Sequence, residues 1–160
     1  MRQPPHSSTI AGWREWVSLP GIGVPWIKAK LDTGARTSTI HAFDVEVTGD
    51  ADAGTERVRF WVHPWQDSDD DAVSVECPIH DRRTVRSSSG HAEERIVVLM
   101  DVAILGRTVT AEMTLSNRDS MGFRMLIGRE ALRKSFIVDP AISFVGGRAP
   151  RHVRLINRGR

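Results

Sequence analysis

The most informative stretch of the chain is an alternating segment that ends in an acidic turn, Val24-Pro25-Trp26-Ile27-Lys28-Ala29-Lys30-Leu31-Asp32-Thr33-Gly34-Ala35. Every second residue from Ile27 to Leu31 is apolar, as expected for a strand with one face on a core. Asp32 follows at the strand end, where Gly34 allows the backbone to turn and the Thr33 hydroxyl can fix the turn. The stretch predicts a rigidly held carboxylate, although a strand-end aspartate can also simply hydrogen-bond its own backbone.

A second stretch, Met125-Leu126-Ile127-Gly128-Arg129, has the form of a short apolar strand followed by a glycine. Residues 129–135 are fair helix formers and predict a helix directly after it. Other segments bounded by turn residues predict further strands; they are Gly12 to Leu19, Phe43 to Val47, Arg57 to His63, Ala72 to Cys77, Arg95 to Ile104, Thr108 to Leu115 and Phe136 to Val138. The expected fold is mainly β, a small closed barrel with one short helix.

Length and composition indicate a single domain. The 160 residues are 40% hydrophobic with a formal net charge of +2, enough for a core and no evidence for direct nucleic-acid binding. The single cysteine, Cys77, excludes an internal disulfide and favours a reducing compartment. No apolar run is long enough to span a bilayer. We expect a cytoplasmic protein without a membrane partner, with a flexible N-terminus over residues 1–11, a domain over 12–147 and a basic tail over 148–160.

The order of Asp-Thr-Gly and then Leu-Ile-Gly-Arg resembles the retropepsins, in which the second segment supports the catalytic loop. A closer resemblance is to the bacterial family known as "ATP-dependent zinc protease", linked to RimK-type ligases that add glutamate tails to ribosomal protein S6. The blocks that carry it are Asp32 to Ser38, Arg86 to Arg95, Thr114 to Met121, Leu126 to Arg129 and Val138 to Pro140. The resemblance implies an acid-protease barrel with Asp32, Thr33 and Gly34 as the catalytic loop and, for some members, removal of glutamate tails.

Acid proteases use two carboxyl groups that share one proton, because two adjacent like charges do not both ionise readily. This chain has a single Asp-Thr-Gly. Either a two-fold homodimer brings two Asp32 side chains together, or Asp32 acts with a different group in a monomer. Lys30 lies on the same side of the strand as Asp32 and would favour the ionised carboxylate, which predicts activity near neutral pH. Alternatively, Lys28 and Lys30 are ordinary solvated side chains.

The stretch from Arg83 to Leu99 has the form of a hairpin with its tip at Ser87-Ser88-Ser89-Gly90. In the retropepsin plan such a hairpin is a flap over the cleft, and small residues at its tip permit movement. Alternation places His91, Glu93 and Arg95 on one strand face, which we expect to meet the substrate. The alternative is a flexible polar loop.

Basic residues accompany these motifs and suit an acidic peptide. Arginine binds a carboxylate through two hydrogen bonds at once, which lysine cannot do. We therefore expect a cleft for a glutamate-rich chain or a glutamylated protein. The expected substrate-binding residues are Lys30, Arg36, Arg86, Ser89, Gly90, His91, Glu93, Arg95, Arg118 and Arg129. Arg129 has the alternative role of bracing the start of the helix.

No cofactor and no metal are expected. The sequence has neither the phosphate-binding pattern Gly-x-x-x-x-Gly-Lys-Ser/Thr nor the zinc-binding pattern His-Glu-x-x-His, and Cys77 with His80 is a weak half-site. An aspartic peptidase is the preferred function. The alternatives are a module that binds acidic tails without cutting them and a metal-dependent peptidase, as the family label says. Nucleic-acid binding is weaker, because core packing is the ordinary role of tryptophans in strand-like segments.

Overall fold

The computed structural model describes residues 9–65, 68–86, 90–116 and 122–156, with the backbone alone at 85, 86 and 156. The strands are β1 (Thr9–Gly12), β2 (Arg14–Leu19), β3 (Val24–Asp32), β4 (Ser38–Thr48), β5 (Arg57–Val62), β6 (Val73–Pro78), β7 (Asp81–Arg86), β8 (Ala92–Ile104), β9 (Arg107–Ser116), β10 (Met125–Gly128) and β11 (Phe136–Asp139). The helices are α1 (Arg129–Leu132) and α2 (Arg151–Ile156), with a 3-10 turn at Pro20–Ile22. Neither helix of the described ranges has the length and apolar character needed to cross a membrane.

Six strands close into a ring in the order β10, β3, β2, β8, β9 and β4, with β4 returning to β10. The closing strand β10 runs parallel to β3, with Gly128 opposite Asp32, and antiparallel to β4, with Met125 opposite Ile40. Strands β5 and β6 extend the sheet from β4, and β7 extends it from β8. The predicted mainly β fold is confirmed, and its closed part is this ring.

The main core is filled by apolar residues that alternate along the strands of the ring and of its extension through β5. On β5, Val58, Phe60 and Val62 are fully buried, whereas Arg59 and Trp61 between them are exposed. Burial of each such apolar side chain contributes about 1.5–3 kcal/mol. The alternation of apolar and polar residues that predicts these strands therefore also places the apolar side chains in the core.

A second, smaller cluster lies on the opposite face of the sheet. The C-terminal segment folds back over β2, so that Ala149 and Val153 pack with Trp16 and Trp65. Lys28 is only 4% exposed, and its ammonium group lies 5.9 Å from the centre of the Trp16 ring and 5.7 Å from that of the Phe123 ring, within reach of cation–π interactions. The alternative of a solvated Lys28 is therefore wrong, because distant parts of the chain cover this face.

Both terminal segments contain structure that the sequence analysis does not predict. Residues 9–11 belong to β1, which pairs in parallel with β11, although the prediction places them in a flexible N-terminus. Helix α2 lies within the predicted basic tail. Strand β1 has four residues and α2 has six, and elements this short are stable only through packing against the rest of the chain.

Glu15 holds the C-terminal segment against the sheet. Its carboxylate is 1% exposed and accepts hydrogen bonds from the backbone N–H groups of Gly12 (2.7 Å), Val145 (3.0 Å) and Gly146 (3.0 Å). Because three donors converge on one carboxylate, Glu15 fastens the chain beyond β11 to the start of β2.

Replacement of Glu15 by glutamine is expected to destabilise the fold by about 1–3 kcal/mol, because the new amide turns an N–H group toward at least one of these backbone donors. Urea denaturation measures the loss. The matched control is Glu46→Gln, which removes an exposed carboxylate paired with Arg59 and is expected to stay within about 0.5 kcal/mol of the parent. Equal stability of the two variants would contradict the role given to Glu15.

Candidate active site

Asp32 is the last residue of β3 and lies beside the closing strand β10. It is partly exposed, and the turn that follows it leads into β4. The parallel pairing of β3 with β10 sets Gly128 opposite Asp32. The Leu-Ile-Gly-Arg segment therefore lies directly behind the turn that carries the carboxylate.

The Asp32 carboxylate is held by its own turn. Its Oδ1 atom accepts hydrogen bonds from the backbone N–H groups of Gly34 (2.9 Å) and Ala35 (3.2 Å). Among the described residues, no group hydrogen-bonds to the other oxygen, Oδ2. One oxygen is thus fixed in place, and the other is available to exchange a proton.

The two residues after Asp32 contribute differently from what the sequence suggests. Gly34 does not have a left-handed φ angle, so the backbone turn itself does not demand glycine. A Cβ atom there would lie 3.2 Å from Oδ1 of Asp32, and glycine is favoured because it leaves room for the carboxylate. Thr33, expected to fix the turn with its hydroxyl group, is exposed and makes no side-chain hydrogen bond within the described part of the chain.

The start of α1 is tied to the same turn by three hydrogen bonds. The backbone N–H of Arg129 donates to the carbonyl oxygen of Ala35 (2.8 Å), and that of Glu130 donates to Arg36 (3.1 Å). The Arg129 side chain adds a bond from Nη1 to the carbonyl oxygen of Gly34 (3.2 Å). Arg129 therefore does brace the turn, and as an exposed residue it also presents its guanidinium group beside Asp32's loop.

Gly128 lets β10 approach the turn closely from behind. Its N–H donates to the buried hydroxyl of Ser38 (3.0 Å). A Cβ atom at position 128 would lie 2.5 Å from the carbonyl oxygen of Thr37 and 2.6 Å from its carbonyl carbon. Ser38 is a site residue that the sequence analysis misses, since a small polar residue at the start of a strand gives little signal.

A cleft of about 570 Å³ opens beside the turn. Its size falls in the range of ligand-binding sites. The turn, the strands β7 and β9 and the helix α1 form its walls. The lining residues are Arg36, Thr37, Ser38, Arg83, Thr84, Thr110, Ala111, Glu112, Glu130 and Ala131. The cleft begins at Arg36, four residues after Asp32.

One wall of the cleft is fixed by a charge network around Arg83. Its Nε donates to Asp81 Oδ2 (2.8 Å), and its Nη2 donates to Glu112 Oε2 (2.7 Å); His80 lies 3.3 Å from the other oxygen of Glu112. The hydrogen bond from Arg83 holds the pKa of Glu112 below its ordinary value. A backbone hydrogen bond from Arg82 is the main cause of the lowered pKa of Asp81. Both carboxylates are ionised at neutral pH, and Arg83 is paired with both of them.

Of the predicted substrate-binding residues, Arg36 and Arg129 are brought together at the Asp32 turn. Arg36 has a side chain that is 76% exposed. Lys30 is partly exposed on β3, and among the described residues no ion pair joins it to Asp32. The expectation of a neutral pH optimum therefore stays a prediction.

The other predicted residues belong to the hairpin and to a later segment. Strands β7 and β8 form the expected antiparallel hairpin. Gly90, His91 and Glu93 are exposed at or just before the start of β8, and Arg95 is half-buried with its Nη2 3.5 Å from Glu93 Oε2. The predictions for Ser89, Arg118 and the side chain of Arg86 lie outside the described residues.

Within the described ranges, no three or more His, Cys, Asp or Glu side chains are grouped so that they could hold a metal ion. Cys77 is half-buried, and burial raises the pKa of its thiol. His80 contacts Glu112 as part of the network in the cleft wall.

Comparison with known proteins agrees with this geometry. The chain matches a family model described as "RimB-like: Retropepsin-like aspartic endopeptidase RimB" over residues 10–149. Curated relatives named "Probable alpha-L-glutamate ligase" include proteins of Shewanella pealeana, 44% identical over 86% of this chain, and of Parasynechococcus marenigrum, 42% identical over 82% of it. The chain spans 30% of the length of the first relative and 28% of the second.

A solved structure shares the fold. It is the crystal structure of a Legionella pneumophila protein of unknown function, 26% identical to this chain with a TM-score of 0.72. The alignment covers 88% of this chain and 99% of the Legionella protein, so the similarity extends over the whole domain. The chain therefore belongs to the RimB-like family of retropepsin-like aspartic endopeptidases.

Proposed function

We propose that this protein is an aspartic-type peptidase of the cytoplasm that removes glutamate-rich tails from a modified protein, with Asp32 as its catalytic carboxylate. The observation that carries the proposal is the state of that carboxylate: Oδ1 is fixed by two backbone N–H groups, and Oδ2 is left without a partner among the described residues. General-base catalysis requires a carboxylate held in one orientation with one oxygen accessible.

In the proposed reaction, Oδ2 of Asp32 takes a proton from a water molecule while the water oxygen bonds to the scissile carbonyl carbon. The C–N bond then breaks, and a proton passes to the leaving amine, so that a free acid and a free amine are the products. A second acidic group, from a second copy of the chain or from another side chain, polarises the carbonyl oxygen.

Two observations support an acidic substrate. Arg36 and Arg129 flank the Asp32 turn with exposed side chains, and guanidinium groups bind carboxylates in a bidentate manner. In addition, the curated relatives that carry this domain within a longer chain are named as glutamate ligases, which links the domain to proteins that handle glutamate.

We expect purified protein to release glutamate or short glutamate peptides from poly-α-glutamate and from a peptide with a glutamate tail. A glutamine-tailed peptide of equal length is the control, and kcat/KM should be at least about tenfold higher for the acidic peptide, because each charge-assisted hydrogen bond contributes about 1.5–3 kcal/mol. Mass spectrometry of the products gives the bond cleaved. If neither peptide is cut, the peptidase proposal fails; if both are cut equally well, the glutamate-tail part of it fails.

A further inference from the structure

The cleft beside Asp32 contains both cations and anions, and they differ in how firmly they are held. Arg83 is engaged by Asp81 and Glu112 at 2.8 and 2.7 Å. Arg36, which also lines the cleft, has one ion pair among the described residues: its Nε lies 3.8 Å from Oε1 of Glu130. At that separation the two groups attract each other without a hydrogen bond, so Arg36 is the cation of the cleft that can change partner.

The negative charge of Glu130 stays paired with a second cation when Arg36 moves away. Its other oxygen, Oε2, lies 3.2 Å from Nη1 of Arg133. The backbone N–H of Glu130 also donates to the carbonyl oxygen of Arg36 (3.1 Å), so the main chains of the two residues stay together when their side chains separate. The side chains of Arg36 and Glu130 can therefore separate without movement of the backbone.

Arg36 can pair either with Glu130 or with a carboxylate of the substrate, and the stronger of these two interactions determines which pair forms. The pair of Arg36 and Glu130 is exposed, with 76% and 43% of the side-chain surfaces accessible, and such pairs contribute little to stability. A substrate carboxylate that takes both donors of a guanidinium fork makes a stronger interaction. Exchange of the internal carboxylate for an external one is therefore favourable in this cleft.

We propose that Arg36 selects an acidic side chain of the substrate and that Glu130 is an internal stand-in for that carboxylate, displaced when the peptide binds. This inference rests on the proposed peptidase function. The ligand is a peptide with a carboxylate side chain near the scissile bond, since Arg36 lines the cleft that opens beside the turn carrying Asp32.

Glu130→Gln is expected to improve binding of an acidic peptide rather than weaken it. Removal of the competing carboxylate is expected to lower KM for an acidic peptide by about threefold, with kcat unchanged and with no change for the glutamine-containing analogue. Arg36→Gln is expected to raise KM for the acidic peptide by about tenfold. Lys134→Gln, which removes an exposed cation that does not line the cleft, is the control and should stay within about twofold of the parent.

The double variant Arg36→Gln/Glu130→Gln separates exchange from simple charge repulsion. If Glu130 acts through Arg36, the Glu130 substitution has no effect once Arg36 is gone. A threefold gain that persists in the Arg36→Gln background, or a KM that rises in Glu130→Gln alone, overturns the proposal. Thermal unfolding of each variant verifies that the fold is retained.

Fluorescence anisotropy can measure binding of a labelled acidic peptide to the Asp32→Asn variant, in which the peptide is not cleaved. This binding tests the same exchange of carboxylates on Arg36. Tighter binding after Glu130→Gln and weaker binding after Arg36→Gln support the proposal even where no peptide is cut. If the chain cleaves peptides but these substitutions do not change binding or KM, the peptidase function stands and the role of Arg36 and Glu130 is wrong.

Discussion

Replacement of Asp32 by asparagine is expected to abolish peptide cleavage while the chain still folds. The asparagine Oδ1 can keep both hydrogen bonds that the carboxylate accepts, from the N–H groups of Gly34 and Ala35. The amide nitrogen replaces Oδ2, the oxygen that exchanges the proton, and an amide does not act as a general base. Loss of acid–base catalysis of this kind costs about 10²–10⁴-fold in kcat, measured with the acidic peptide under saturating conditions.

The chain contains a matched control for this substitution. Asp139 also ends a strand, β11, and its Oδ1 also accepts a hydrogen bond from the N–H group two residues later, that of Ala141 (2.8 Å). Asp139→Asn is expected to leave both turnover and thermal unfolding unchanged. If Asp32→Asn turns over at the parent rate, Asp32 has only the turn-forming role that Asp139 has, and the catalytic assignment is withdrawn.

The same variant distinguishes the two origins of the second acidic group. In a two-fold dimer, addition of Asp32→Asn protein to the parent forms mixed dimers with one carboxylate, and activity falls below the value expected from dilution. In a monomer that uses a different group, activity per parent chain does not change. Titration of the inactive variant into a fixed amount of parent, after time for subunit exchange, gives the answer.

The sequence predicts best those parts of the fold in which local pattern and tertiary packing agree. Strand β3 has the predicted bounds, Val24–Asp32, because its alternation matches the burial that the ring requires. The helix after Gly128 also begins at the predicted residue, although it ends at Leu132 rather than Ser135. Apolar periodicity, glycines and turn residues can be recognised in a short stretch of sequence, and they define the strands that form the ring.

The parts that the sequence does not predict depend on contacts between distant segments. The cleft brings together Arg36, Arg83 and Glu130, and nothing in the sequence says that Arg83 is engaged by two carboxylates whereas Arg36 is loosely paired. Burial of Lys28 depends likewise on segments distant in sequence, since the rings of Trp16 and Phe123 lie within 6 Å of its ammonium group. Residue types near a motif therefore suggested the charge of the site but not which of its cations is available to a ligand.

Replacement of Gly128 by alanine is expected to cause the largest structural loss of any single substitution at the site. The added Cβ would lie 2.5 Å from the carbonyl oxygen of Thr37 and 3.0 Å from that of Ala35, and backbone atoms cannot move aside as a flexible side chain can. Overpacking of this kind costs about 3 kcal/mol, which corresponds to a decrease of about 10 °C in Tm for a chain of this length.

The same displacement should reach the chemistry, because the crowded backbone belongs to the turn that holds Asp32, and Gly128 itself donates to Ser38 (3.0 Å). Activity of the folded Gly128→Ala protein, measured well below its Tm, is expected to fall by about 10²-fold, since a misplacement of about 1 Å at a catalytic group has that effect. Gly21→Ala is the control: a Cβ at Gly21 meets no atom within 4 Å, and both Tm and activity should be unchanged. Parent-like Tm and turnover in Gly128→Ala would show that the close approach of β10 to the turn is not what holds the carboxylate in place.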